Sequence, residues 1–238
     1  MTFVSYSQNF EDVMLWRALK HVENGFYIDV GAAHPDIDSV TRAFSDRGWT
    51  GINIEPSVEF YSRLAAARGR DTNLRVAVGC EPGSATFFEI PGSGLSTLDP
   101  KVAATHRAAG WAINQKTIEQ ITLAEICRRY AQAEIHFLKV DVEGSEASAL
   151  IGADFTSFRP WIVLAEATQP LSETQSHAEW EPVLVSAGYR FAWFDGLNRF
   201  YIADERWELL SHSFTAPANV FDDFIRATDT QDLNRIIG

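Results

Sequence analysis

The sequence predicts an α/β fold: a mostly parallel sheet with helices on both faces, ended by an antiparallel hairpin. Two observations predict it. Short apolar runs that finish in Asp, Glu or Gly alternate with stretches at helical spacing, which is the strand–turn–helix order of a parallel sheet. Near the end, YRFAWFDG (189–196) and LNRFYIAD (197–204) follow one another with no room for a helix between them, so they must pair antiparallel.

The elements follow in order. Phe10, Val13, Met14 and Arg17 place a helix over 9–20. GFYIDVG (25–31) is a buried strand, and Val40, Ala43 and Phe44 mark a helix closed by Gly48. GINIEP (51–56) is a second strand, after which Ser57 is positioned to cap a helix carrying Tyr61, Leu64 and Ala65 inward. LRVAVG (74–79) reads as one strand and SATFFEI (84–90) as another. PGSGLSTLDP (91–100) is a Gly/Ser/Pro loop, and 101–116 fits either a short helix or an ordered loop. Thr122 and Glu125 have capping-box spacing before a helix bearing Leu123, Ile126, Cys127 and Tyr130. HFLKVDVEG (136–144), a short helix at 145–151, WIVLAEA (161–167) and a helix from Trp180 to Ala187 lead into the hairpin. We expect one domain over 1–238, with an N-terminal helical segment (1–24) and an acceptor-side loop region (91–116).

Composition excludes several functions. The chain has 238 residues, 46% of them hydrophobic and 22% charged, enough to bury a large core without a staple. Its net charge of −12 argues against wrapping a phosphate backbone. Cys80 and Cys127 form no CxxC or CxxH pair, so a structural zinc site is not expected. Glu11 and Asp12 fall where a signal peptide would be apolar, and Trp161 to Ala165 is far too short to span a membrane. The expectation is a cytoplasmic protein with no membrane insertion and no nucleic-acid partner.

Ligands of open α/β sheets bind at the carboxyl ends of strands. Asp29-Val30-Gly31-Ala32-Ala33 ends the first long strand. A pyrophosphate site would use GxGxxG there, but the corresponding positions are Gly31, Ala33 and Asp36. An acidic turn suits a cationic ligand better, such as the ammonium and sulfonium of S-adenosylmethionine. Glu55 ends the next strand 26 residues on and is placed to accept ribose hydroxyls. Asp141, Glu143 and Glu146 cluster after a further strand, and Glu166 ends the one beyond. Glu146 reads as a helix-terminus residue, while Asp141 and Glu143 read as site residues. His34 follows the Asp-x-Gly turn and His136 reads as a packed histidine. Trp111 is the aromatic outside the strands that a sugar acceptor could use.

The segments YSQNFED (6–12), GFYIDVGA (25–32), IEPS (54–57), KVDVEGSE (139–146) and FDGLNRFYI (194–202) together resemble the FkbM-type S-adenosylmethionine-dependent methyltransferases, from about residue 3 to about residue 226. The resemblance implies a class I methyltransferase (Rossmann-like) fold and O-methylation of a hydroxyl, often on a sugar in a glycan, polysaccharide or nucleotide sugar. It makes Asp29, Gly31 and Ala32 the methionine-side turn and Glu55 the ribose ligand. The resemblance also implies that Ser7 and Gln8 close over the cofactor and that Ser96 lines the pocket. Asp141 belongs to both the cofactor and the catalytic side. The sequence departs from the broader Gly-x-Gly-x-Gly pattern at Ala33 and Pro35.

Methyl transfer to a hydroxyl needs a base as the carbon–oxygen bond forms. Asp141, Glu143, Glu166 and His34 are the candidates, and converging carboxylates would also suit Mg²⁺. Association with glycosyltransferases follows from the resemblance. A nicotinamide-dependent sugar oxidoreductase and a non-catalytic module attached to a glycosyltransferase system are the alternatives.

Overall fold

The computed structural model describes residues 2–132 and 134–229; the expected domain boundary at 238 lies outside them. The chain runs through β1 (Phe3–Ser5), α1 (Glu11–Leu19), β2 (Phe26–Val30), α2 (Arg42–Ser45), β3 (Thr50–Ile54), α3 (Val58–Ala67), β4 (Thr72–Leu74), β5 (Ala77–Val78) and β6 (Gly83–Glu89). It continues through α4 (Pro100–Ala108), β7 (Asn114–Ile121), α5 (Leu123–Tyr130), β8 (Phe137–Val140), α6 (Glu146–Ile151) and β9 (Ile162–Glu166). The last elements are α7 (Glu181–Ser186), β10 (Tyr189–Phe194), β11 (Asn198–Ala203), α8 (Trp207–Leu210) and β12 (Phe224–Arg226).

The main sheet has seven strands in the order β10-β11-β9-β8-β2-β3-β4. From β9 to β4 the pairs are parallel, while β11 runs antiparallel to both β9 and β10. The alternation of side chains explains the layering. Ile28, Val30, Ile52, Ile54, Leu138, Val140 and Val163 face α5, α6 and α7 through Ile126, Leu150 and Leu184. Tyr27, Phe137, Leu164, Phe200 and Ile202 face α1, α2 and α8 through Met14, Leu15, Phe44 and Leu210. Both faces are covered, which is why the central strands read as continuous apolar runs.

After β2 the chain builds outward through β3 and β4, then returns to place β8 and β9 on the other side of β2. That reversal opens a crevice at the carboxyl ends of β2 and β8. Over it lies a second sheet, β5-β7-β6. Two short strands, β1 and β12, join the two ends of the described chain in parallel. Arg17 on α1 reinforces that closure, donating to Asp222 Oδ1 and Oδ2 at 2.6 Å and to the carbonyls of Ser213, Ala216 and Pro217.

Several expectations change. The run at 74–79 is not one strand: it breaks at Arg75-Val76, so β4 ends the main sheet and β5 starts the second. The 91–116 region is not a loop throughout. Asp99 caps α4 by accepting from the Lys101 backbone N–H, with Pro100 at the first helical position, and β7 begins at Asn114. The helix expected from residue 9 starts at Glu11, because Phe10 takes a left-handed backbone. Ser57 occupies the N-cap position of α3, but its hydroxyl donates to Glu89 rather than capping. Thr122 does cap α5, and the Glu125 carboxylate pairs with Arg129 instead of returning to the cap.

Candidate active site

A cavity of about 460 Å³ opens at the crevice, a size suited to a cofactor or drug-sized ligand. Gln8, Gly31, Ala32, His34, Glu55, Ser96, Asp141 and Glu143 line it. Val76, Val78, Phe60 and Phe87 supply an apolar wall beside Glu55.

The turn after β2 is held from three sides. The Gly31 and Ala32 amides donate to the Ile54 carbonyl at 3.0 and 3.1 Å. A Cβ on Gly31 would lie 1.8 Å from the Asp141 carbonyl oxygen, and its φ of +78° is left-handed, so the glycine lets β8 approach rather than only a ligand. Ala33, where the broader pattern has glycine, takes φ +46° and donates its N–H to Glu55 Oε2 at 2.9 Å. Glu55 Oε1 accepts from the Ser57 N–H at 2.7 Å. The Glu55 carboxylate therefore fastens the turn to the start of α3, and burial pushes its pKa up to about 7.

Asp29 does not line the cavity. It is 1% exposed, and its carboxylate accepts from the Thr41 hydroxyl and lies 3.3 Å from Lys139 Nζ. The sequence reading passed over Lys139, which does line the cavity. Its ammonium donates to the Gly31 carbonyl at 2.7 Å and reaches Asp141 Oδ2 at 3.4 Å. Burial works against its charge, but Asp29 and Asp141 outweigh that and raise its pKa. The acidic turn thus contains its own counterion.

One carboxylate oxygen from each of Asp141, Glu143 and Glu166 lies within 4.8 Å of the others. Asp141 follows β8, and Glu143 is fixed by a left-handed backbone (φ +53°) and by the Thr97 hydroxyl, which donates to its carbonyl. Glu166 ends β9. Burial, then Asp141, raises the pKa of both Glu143 and Glu166. Glu146 turns back to accept from the Val142 and Gly144 amides, so it shapes the loop.

Other placements differ from expectation. Ser7 does not reach the cavity; its hydroxyl donates to Asp12 Oδ1 at 2.8 Å. Ser96 lines the cavity, with its Oγ accepting from the Ile90 N–H. His34 faces the cavity, yet its Nδ1 accepts from the Asp36 and Ile37 amides. The neutral ring therefore carries its proton on Nε2 and presents a donor, which contradicts a general-base role. His136 is packed between Trp49 and Trp161, with Nδ1 accepting from the Phe26 N–H. Trp111 is 42% exposed on the connection from α4 to β7.

The two terminal motifs interlock. Glu11 Oε1 accepts from Asn198 Nδ2 at 2.9 Å, and Asn198 is the cross-strand partner of Glu166. Asp12 accepts from Ser5, from Ser7 and from the Tyr6 N–H, shaping the segment that carries Gln8.

Fold and site define an α/β protein with a cavity at the carboxyl ends of its parallel strands, beside an acidic cluster in which Glu166 is buried and Asp141 and Glu143 are partly exposed. The sequence matches the methyltransferase FkbM domain over residues 29–191, and the chain belongs to that family of methyltransferases. The terminal motifs around Glu11 and Asn198 lie outside the match. A crystal structure of methyltransferase FkbM from Methylobacillus flagellatus KT is similar at 15% identity and a TM-score of 0.46, covering 76% of this chain and 43% of that one. This chain therefore spans less than half the length of that protein. No curated protein matches the sequence. Among the described residues no helix is long and apolar enough to cross a membrane.

Proposed function

We propose that the protein is an S-adenosylmethionine-dependent O-methyltransferase of the class I arrangement, acting on a sugar hydroxyl. The observation that carries this reading is the line of groups along the strand ends: Glu55 after β3, the Gly31 turn after β2, then Asp141, Glu143 and Glu166 after β8 and β9. The donor set fits the cofactor. Glu55 keeps free lone pairs for two ribose hydroxyls beyond the two amides it accepts, and Val76, Val78 and Phe87 offer an apolar wall for a purine. Asp141, which lines the same cavity, is the carboxylate we assign to the cofactor's ammonium.

When bound, S-adenosylmethionine supplies a methyl carbon whose bond to sulfur breaks as the bond to the acceptor oxygen forms, leaving a neutral thioether while the hydroxyl proton passes to a base. The chain's own work is alignment and deprotonation. The turn at Gly31 and Ala32 sets the position of the methionine end. Asp141, Glu143 and Glu166 receive the acceptor hydroxyl, and His34 donates from Nε2. Gln8 lines the cavity on a segment that the Asp12 network shapes, and closes over the cofactor.

Calorimetry with S-adenosylhomocysteine tests the cofactor: saturable binding with a stoichiometry near one supports the reading, and no binding at high micromolar concentration rejects it. Mass spectrometry of sugar acceptors incubated with protein and cofactor then tests the acceptor class by a gain of one methyl.

A further inference from the structure

We propose that Asp141, Glu143 and Glu166 form a site for one hard divalent cation of the Mg²⁺ or Mn²⁺ type, and that this ion holds the acceptor hydroxyl. The binding site stands by itself; the ion's part in catalysis rests on the methyltransferase reading above.

Geometry comes first. Three carboxylate oxygens lie within 4.8 Å of one another. An octahedral ion with metal–oxygen distances of about 2.1 Å puts its ligand oxygens up to about 4.2 Å apart, so small side-chain rotations bring all three onto one ion. The second observation is independent of the clustering. Glu166 is 7% exposed, and its Oε2 has no hydrogen-bond partner among the described residues. A buried carboxylate oxygen left without a donor is strongly unfavourable unless something fills its place.

Among the described residues no protein cation fills it. Lys139 reaches Asp141 at 3.4 Å, but it already donates to the Gly31 carbonyl and neutralises Asp29. One ammonium thus serves Asp29 and Asp141, and among the described residues Glu143 and Glu166 have no side-chain cation paired with them. A divalent ion would favour their ionised forms and supply the missing partner. An all-carboxylate donor set selects hard ions over zinc or copper, which favour nitrogen and sulfur.

The location gives the ion its use. Asp141 and Glu143 line the cavity wall across the Gly31 turn from Glu55. Three protein oxygens leave octahedral positions open for acceptor oxygens, and vicinal sugar hydroxyls are suited to take two of them. Bound there, a hydroxyl is oriented and made more acidic.

The test uses the full chain stripped with chelator. Mn²⁺ is titrated in while its free electron-paramagnetic-resonance signal is followed, and MgCl₂ is titrated by calorimetry. We expect about one saturable site per chain, and Glu166→Gln and Glu143→Gln should each weaken it at least about tenfold. Thermal melting of both variants in chelator reports their folding; Glu143→Gln, at the more exposed position, carries the test if Glu166→Gln does not fold. Failure of both ions to bind at millimolar concentration, or Mn²⁺ affinity unchanged in a folded variant, overturns the site. S-adenosylhomocysteine binding measured with and without chelator separates the two claims: its absence under both conditions rejects the cofactor reading, and its retention without ion binding rejects only the ion.

Discussion

Lys139 donates its ammonium to the Gly31 carbonyl at 2.7 Å, tying the end of β8 to the turn that follows β2. The same group neutralises Asp29, which is buried and, among the described residues, otherwise accepts only from Thr41. Lys139→Met keeps the apolar stem but leaves Asp29 as an unpaired buried charge. We expect a loss of about 3–5 kcal/mol in urea unfolding. Adding Asp29→Asn to that variant should recover a large part of it. A double variant no more stable than the single one would show that the lysine acts chiefly on the turn rather than on Asp29.

Gly31→Ala is expected to be far worse than an alanine at another left-handed glycine. The added Cβ at Gly31 would meet backbone at 1.8 Å, whereas at Gly196 (φ +102°) nothing lies within 4 Å among the described residues. Gly196→Ala therefore carries only conformational strain, about 1–2 kcal/mol. Gly31→Ala must also part β2 from the Asp141 backbone, so it should melt well below Gly196→Ala or fail to fold. Equal melting temperatures would reject the close approach.

Glu55 offers a sharper test of the proposed ribose contact. Glu55→Ala frees the Ala33 and Ser57 amides as well as the cavity edge, so lower stability alone says little. Glu55→Gln retains a carbonyl acceptor for one of them and keeps the volume. We expect S-adenosylhomocysteine to bind at least about tenfold more weakly to the Gln variant, the worth of a lost charge-assisted hydrogen bond. Undiminished affinity in a folded Glu55→Gln protein would remove Glu55 from the cofactor site.

How much of this was legible in the sequence depends on what each residue advertises. Glu55, Asp141 and Glu166 stand at the ends of apolar runs, and a parallel sheet brings such ends to one edge whatever the details. The hairpin was equally legible, because LNRFYIAD follows YRFAWFDG too closely for any crossover. Lys139 was not: a lysine inside FLKV reads as one polar residue in a strand, and only the register pairing Asp29 with Lys139 across β2 and β8 gives it a partner. β7 was missed because NQKTIEQI exposes five of its eight side chains and shows no apolar alternation. Ser7 shows the limit from the other side: its neighbour Gln8 lines the cavity, but nothing in the spacing says that the Ser7 hydroxyl turns to Asp12 instead.

The contact between Glu11 and Asn198 leads to a pH prediction. Glu11 is 2% exposed, and burial, helped by the charge of Asp195, pushes its pKa up to about 7. Unfolded, the same side chain titrates near 4.5. The folded state therefore binds the extra proton between those values, and stability falls as pH rises through that window. The loss is complete above the folded value, and for a shift of this size it is on the order of 3 kcal/mol. Glu55 acts in the same direction over the same range. Melting temperature should thus drop between pH 5 and pH 8, by several degrees for a chain of this size. Glu11→Gln cannot ionise. It disturbs the acceptor geometry toward Asn9 or Asn198 by an amount that does not vary with pH, so the slope, not the absolute midpoint, is the readout. The variant should melt with a shallower pH dependence and gain on the wild type as pH increases. Parallel curves for the two proteins would mean that Glu11 is already ionised in the fold, held by Asn198 and the Asn9 amide against its burial.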